Sequence, residues 1–139
     1  MNDERTRVRV LLVEDGTWRR GEYRRQLEES GFEVCEAADG TEVAHVFESA
    51  RPSIVVSDTD LPHVDGDEAL RPLLERGELE GVLIVGMSSA RAFEEHWRGL
   101  AHAFRHKREI DHLGETVRAL HDDFESGRCS GRLGSAGEA

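Results

Sequence analysis

The side chains able to do chemistry in this sequence fall at four places: Glu14-Asp15, Asp58 with Asp60 just beyond it, Ser88-Ser89, and Lys107. Each group stands at the end of a short apolar run. Brought together, three carboxylates would repel one another by several kcal/mol at an effective dielectric of about 20. A hard divalent cation removes that cost, and Mg²⁺ suits carboxylate oxygens while keeping waters that a phosphate can displace. One carboxylate could then attack a phosphoryl group as nucleophile. The metal would neutralise developing charge, while Lys107 and a serine hydroxyl take the remaining phosphate oxygens. Taken singly, an acidic pair after a strand is most often a solvated turn. The recurrence of such groups at four run ends is what points to a site.

Those run ends need a frame that aligns them. Residues 8–13, 32–36, 53–57, 81–86 and, more weakly, 102–106 read as short buried strands. Helix-period segments alternate with them. The first spans residues 17–30, with Thr17 as N-cap, Trp18, Tyr23 and Leu27 on one stripe, and Gly31 closing it in the left-handed region. Asp39 opens the second, which carries Val43, Val46 and Phe47. The third follows Asp65-Gly66 with Leu70, Leu73 and Leu74, and Pro72 is expected to kink it or shorten its first half. A short helix is expected over 90–98, and a last one over 109–124 with Ile110, Leu113, Val117 and Leu120 on its buried face. Five strands alternating with five helices specify an α/β fold, a five-stranded parallel sheet covered on both faces. Active sites of such folds lie at the carboxyl ends of the strands.

Composition narrows the function classes. The chain has 139 residues, enough for one domain, and 37% of them are hydrophobic, so a core can form. Asp and Glu number 29 against 18 Lys and Arg, a net charge of −11, which leaves no basic patch for nucleic acid or an anionic membrane. No apolar run approaches the roughly 20 residues of a membrane span, and the polar N-terminus is no signal peptide. A cytoplasmic protein is the expectation. Cys35 and Cys129 form neither a disulfide framework nor a zinc-ligand spacing. Residues 1–6 read as an N-terminal extension, 7–124 as the domain, and 125–139 as a disordered Gly/Ser-rich tail. Met1 and that loose tail suggest a complete, stand-alone protein.

The stretch Ile54-Val55-Val56-Ser57-Asp58-Thr59-Asp60-Leu61-Pro62-His63-Val64-Asp65-Gly66 resembles the hydrophobic strand and D-x-x-(L/M)-P-x-x-D-G motif of the receiver domain of two-component response regulators. The acidic pair after Leu11-Leu12-Val13 and the Ser89-Ala90 dipeptide extend the resemblance, which covers residues 7–124. It implies a doubly wound, flavodoxin-like sheet in strand order 2-1-3-4-5. It also implies Asp58 as phosphoacceptor, with Glu14, Asp15, Asp58 and the backbone carbonyl of Asp60 around Mg²⁺. Ser89 would be the switch hydroxyl, Lys107 the phosphoryl partner, and Phe104 the aromatic whose rotamer reports activation. Such a protein is no enzyme beyond its own phosphoryl transfer and dephosphorylation. Its partners would be a sensor histidine kinase or phosphotransfer protein and an unidentified downstream protein. A homodimer is left open.

Three departures from the family pattern stand out. Arg108 follows Lys107 where the family usually has a proline through a cis bond, so a trans bond is expected. The interval from Ser89 to Lys107 is short, so the fourth helix should be abbreviated or partly unwound. Asp60 adds a fourth acid beside the site. These features motivate an alternative, a pseudo-receiver acting as a constitutive interaction module without phosphorylation. A D-x-D phosphatase reading of Asp58-Thr59-Asp60 is disfavoured because that motif belongs on a first strand with a long chain after it. Glu14-Asp15-Gly16-Thr17 is no glycine-rich phosphate loop. His96, His102, His106 and His112 cross several elements and are expected at exposed positions. Trp18 and Trp97 are expected to pack, and Arg19-Arg20 and Arg24-Arg25 to form a solvated helix face, the one receivers often offer to a kinase.

Overall fold

The computed structural model describes residues 7–129 and 131–134; the expected extension over residues 1–6 lies outside them. Five parallel strands, β1 (Arg9–Val13), β2 (Glu33–Ala37), β3 (Ile54–Asp58), β4 (Leu83–Ser88) and β5 (Ala103–His106), form one sheet in the order β2-β1-β3-β4-β5. Four α-helices cover it: α1 (Thr17–Glu29), α2 (Val43–Ala50), α3 (Gly66–Glu75) and α4 (Leu113–Glu125). Strand alternation divides the core in two. Leu11, Val13, Val55 and Ile84 face α2 and α3, where they meet Val43, Phe47, Leu70 and Leu73. Val10, Leu12, Ile54 and Val56 face α1 and α4, meeting Tyr23, Leu27, Leu113, Val117 and Leu120. No helix among the described residues is long and apolar enough to cross a membrane.

Several local expectations are corrected. The segment expected as a helix over 90–98 is a 3-10 helix, Arg91–Trp97, and Lys107–Glu109 is a 3-10 turn before α4 rather than its first residues. Among the described residues, four α-helices therefore stand where five were expected. Thr17 is the first residue of α1 and Gly16 the N-cap, with no side-chain capping bond. Asp39 caps the 3-10 turn Gly40–Glu42, accepting from Thr41 N, and α2 follows. α3 runs unbroken through Pro72, because one lost backbone bond is offset by the burial of Leu70 and Leu73 on either side of it. Gly31 has the left-handed φ expected of it, +92°. The bond from Lys107 to Arg108 is trans, as expected.

Trp18 does not pack: it is 78% exposed on α1, beside the buried Tyr23 and Leu27. Trp97 is fully buried as expected, lying over Gly86, where an added Cβ would come within 2.4 Å of the indole. His102, expected at the surface, is buried and accepts at Nδ1 from Ile84 N at 3.0 Å. Within the stretch expected as a disordered tail, the described residues 132 and 133 are bonded to the domain. Leu133 N donates to Ala101 O at 2.7 Å, Gly99 N donates to Leu133 O at 2.6 Å, and Arg132 Nη1 donates to Leu100 O at 2.8 Å. The turn around Gly99 leaves those main-chain groups without strand or helix partners, so a passing segment satisfies them.

Candidate functional site at the carboxyl rim of the sheet

Register decides which side chains meet. Val13 pairs with Ser57, Asp58 with Met87, and Ser88 with His106. Glu14, Asp58, Ser88 and Lys107 thus fall at or one residue past the same rim. Glu14, Asp15 and Asp58 each offer a carboxylate oxygen, and these lie within 4.8 Å of one another. Lys107 Nζ donates to Glu14 Oε1 at 2.9 Å and to Asp58 Oδ2 at 3.0 Å, with its side chain only 9% exposed. The rim opens into a cavity of about 280 Å³ also lined by Arg19, Asp60, Ser88, Ser89 and Phe93.

The electrostatics follow from one ammonium shared by two buried acids. Burial pushes the Asp58 carboxyl above the ordinary range, Lys107 pulls it back, and Glu14 adds to the rise. Burial acts to lower the Lys107 pKa, but the bonds to Glu14 and the charge of Asp58 outweigh it and hold the amine above its usual value. The three groups keep excess negative charge, and Asp15 adds more at the exposed edge. A divalent cation fits this donor set: carboxylate oxygens that already accept one bond retain a lone pair each.

Asp58 is fixed by its surroundings. Thr59 N donates to Asp58 Oδ1 at 2.9 Å, and Ser57 Oγ donates to Asp58 O at 2.8 Å. The Asp-Gly of the motif has a packing reason: a Cβ on Gly66 would lie 2.0 Å from Asp58 O and 2.4 Å from Ser57 Oγ. Only glycine lets α3 start so close beneath the strand end. Thr59 Oγ1 donates to Met87 O at 2.7 Å and accepts from Trp97 Nε1 at 2.8 Å, tying the residue after Asp58 to the 3-10 segment.

Of the residues expected at the site, Glu14, Asp15, Asp58, Asp60, Ser89 and Lys107 line the cavity. Phe104 does not; it is buried in the core cluster that holds Trp97. β4 runs two residues further than expected, so Ser88 ends the strand, buried, with its Oγ accepting from Ala90 N at 3.0 Å, while Ser89 is exposed. Two further residues of the cavity wall escaped the reading of the sequence, Arg19 and Phe93. Arg19 was visible only as part of a charged helix face; its place at the cavity rim comes from α1 starting immediately after the acidic turn. The other arginines of that face are spent on neighbours: Arg24 pairs with Glu28 and Glu36, and Arg25 with Glu22 and Glu29.

A flavodoxin-like parallel sheet with a lysine-bridged acidic pocket at its carboxyl rim defines a class of α/β module whose carboxylates could hold a cation. The sequence matches the response regulator receiver domain over residues 10–107, and the chain belongs to that family. Among curated relatives it is 37% identical over 78 residues to the response regulator MprA of Mycolicibacterium vanbaalenii, covering 56% of this chain and 34% of that protein. It is 39% identical over 68 residues to the protein CcdB of Bacillus subtilis, covering 48% of this chain and 57% of CcdB. The matched stretches thus span about a third to somewhat over half of those relatives. Among solved structures, the chemotaxis response regulator CheY4 of Vibrio cholerae superposes with a TM-score of 0.72 at 22% identity, covering 84% of this chain and 98% of CheY4. The response regulator TrrA of Thermotoga maritima, solved in complex with Mg²⁺-BeF, superposes with a TM-score of 0.70 at 25% identity, covering 81% and 98%. Receiver domains are signalling modules of two-component systems rather than enzymes in their own right. They bind Mg²⁺ at an acidic pocket and interact with histidine kinases or phosphotransfer proteins and with downstream effectors.

Proposed function

We propose that this chain is a receiver phosphorylated on Asp58 by a histidine kinase or phosphotransfer protein in the presence of Mg²⁺, and that it signals by contact with another protein. The observation that carries the reading is the Lys107 ammonium bridging Glu14 and Asp58 beside Asp15. Glu14, Asp15, Asp58 and the Asp60 carbonyl would hold the ion, which supplies charge neutralisation when bound. The Asp58 carboxylate is the nucleophile: its oxygen forms the new bond to phosphorus as the bond from phosphorus to the donor nitrogen breaks, and the departing imidazole takes up a proton. Thr59 N orients the carboxylate, and Lys107 passes from Asp58 to the incoming phosphoryl oxygens. Arg19, at the cavity rim, adds positive charge where those oxygens would project.

For the switch hydroxyl, the end of β4 favours Ser88 over Ser89. Ser88 is buried one residue past the partner of Asp58, and its turn toward a phosphoryl group would release Ala90 N. Phe104 keeps the expected role of an aromatic that follows that movement. The test is incubation with Mg²⁺ and a small phosphodonor or beryllofluoride, read by intact mass and tryptophan fluorescence. One acid-stable, base-labile phosphate is expected, absent from Asp58→Asn; Ser88→Ala should keep the phosphate and lose the fluorescence change, and Ser89→Ala should keep both. No incorporation in the wild type, or undiminished incorporation in Asp58→Asn, would overturn the reading in favour of a constitutive interaction module.

A further inference from the structure

A second group of ligand-type side chains lies outside the acidic rim. Asp65, Asp67 and His96 each offer one atom, and the three atoms lie within 4.8 Å of one another. Asp65 caps α3 and Asp67 sits in its first turn, whereas His96 comes from the 3-10 segment across the cleft. The Asp67 side chain is only 8% exposed, and its Oδ1 is the one buried side-chain oxygen or nitrogen without a hydrogen-bond partner among the described residues. That oxygen faces His96 Nδ1 at 3.8 Å, beyond hydrogen-bond reach.

The neighbours explain why Asp67 stays unpaired. Arg71, at the i+4 position where a helix usually supplies a counter-charge, donates instead to His96 O at 2.8 Å and Arg98 O at 3.2 Å. It anchors the main chain that carries His96 and leaves the carboxylate free. Phe93 meets the His96 ring edge-on at 5.0 Å between centroids, which fixes the imidazole plane. A buried acceptor without a partner, facing an imidazole nitrogen, has the geometry to share a bridging cation with it. Two ligands of a tetrahedral ion with bonds of 2.0–2.2 Å stand about 3.3–3.6 Å apart, so the 3.8 Å gap needs only a small contraction.

We propose that Asp65, Asp67 and His96 form a second cation site, separate from the acidic rim. One imidazole nitrogen and two carboxylate oxygens suit a first-row divalent ion such as Zn²⁺, with water completing the shell, better than they suit Mg²⁺. The His96 side chain, 41% exposed, leaves the ion a way in from solvent. Bound there, the ion joins the start of α3 to the 3-10 segment, next to Trp97.

The test uses the full metal-free chain in millimolar Mg²⁺, so that the rim is occupied. Zn²⁺ is titrated by calorimetry, and Co²⁺ by visible absorption and quenching of tryptophan fluorescence. One equivalent of each is expected to bind, with affinity at least about tenfold weaker in Asp67→Asn and in His96→Ala, both checked for folding by circular dichroism. Asp15→Asn in the rim and His63→Ala at the surface should bind as the wild type does. Absence of saturable binding, equal affinity in Asp67→Asn and His96→Ala, or loss of binding in Asp15→Asn would each overturn the proposal.

Discussion

Lys107→Met removes the ammonium while keeping an unbranched stem of similar length, so it isolates charge from packing. At 2.9 Å and 3.0 Å from two carboxylate oxygens, each attraction amounts to about 6 kcal/mol at an effective dielectric of 20. Desolvation of the buried amine offsets most of this, and breaking such a pair by removing one partner costs about 3–5 kcal/mol. The lower end applies here, because Asp58, whose carboxyl burial already pushes upward, can take a proton in the variant. The expected loss is about 3 kcal/mol at pH 7.5 in a chelator, measured by urea unfolding. Two conditions should shrink it. Saturating Mg²⁺ replaces the missing positive charge between the acids. Lowering the pH does the same by protonating Asp58, whose folded pKa rises further once Lys107 is gone; a raised folded pKa favours the folded state as pH falls, so the variant gains on the wild type toward pH 5. A deficit indifferent to both Mg²⁺ and pH would refute the claim that Lys107 acts as a counter-charge to the rim.

Three further outcomes are expected. Gly66→Ala should lose about 1–3 kcal/mol by overpacking against Asp58 O and Ser57 Oγ, and should slow phosphate uptake at Asp58 by displacing the strand end; unchanged uptake kinetics would count against this packing. His102 is held neutral, its pKa lowered to about 4 by burial and by the Arg132 charge against an ordinary 6.5. Below pH 6.5 the unfolded chain gains a proton the folded chain refuses, so stability falls between pH 6.5 and 4, by about 3 kcal/mol in all, and a urea-unfolding pH series should show that slope missing from His102→Gln. Truncation after Cys129 removes the bonds of Leu133 and Arg132 to residues 99–101; it should cost about 1–2 kcal/mol and raise the exchange rate of the Gly99 amide.

The frame was legible because it depends on patterns the sequence carries locally. Val10 to Val13 and Ile54 to Val56 are continuous apolar runs, and the fold needs them buried on both faces. Lys107 directly follows β5, and register at the sheet rim brings its ammonium to Glu14 and Asp58. What escaped was what depends on a residue or two of strand end. Reading β4 as ending at Gly86, with Ser89 taken as the switch hydroxyl from the Ser89-Ala90 dipeptide, gave no sign that Ser88 is the buried one of the two serines. His102 resembles its exposed neighbours in sequence, and its burial follows from Ile84 N needing an acceptor beyond the short β5. Trp18 looked like core because it shares a stripe with Tyr23 and Leu27, but it is the second residue of α1, five residues before Tyr23, and stands exposed there. Residues 132–133 gave no sign of order because one arginine and one leucine in a Gly/Ser-rich stretch form no periodic pattern, and their contacts are set by the main chain of residues 99–101.

The 3-10 segment shows how a short interval can still be held rigid. Between Ser89 and Lys107 there is too little chain for both a full helix and a return to β5, so Arg91–Trp97 winds tightly and delivers Trp97 onto Gly86. The absence of a side chain at Gly86 makes room for the indole, and Thr59 supplies the acceptor that a buried indole N–H requires. Thr59 in turn uses its one proton on Met87 O, so with the indole bond its hydroxyl is held in a single orientation. The residue bonded to the Asp58 carboxylate through its own N–H is therefore locked to β4 on one side and to the 3-10 segment on the other. A displacement of the Asp58–Thr59 main chain cannot be absorbed by rotating that hydroxyl without breaking one of the two bonds. It must move Trp97, and with it the surface over 91–102 on which residues 131–134 rest.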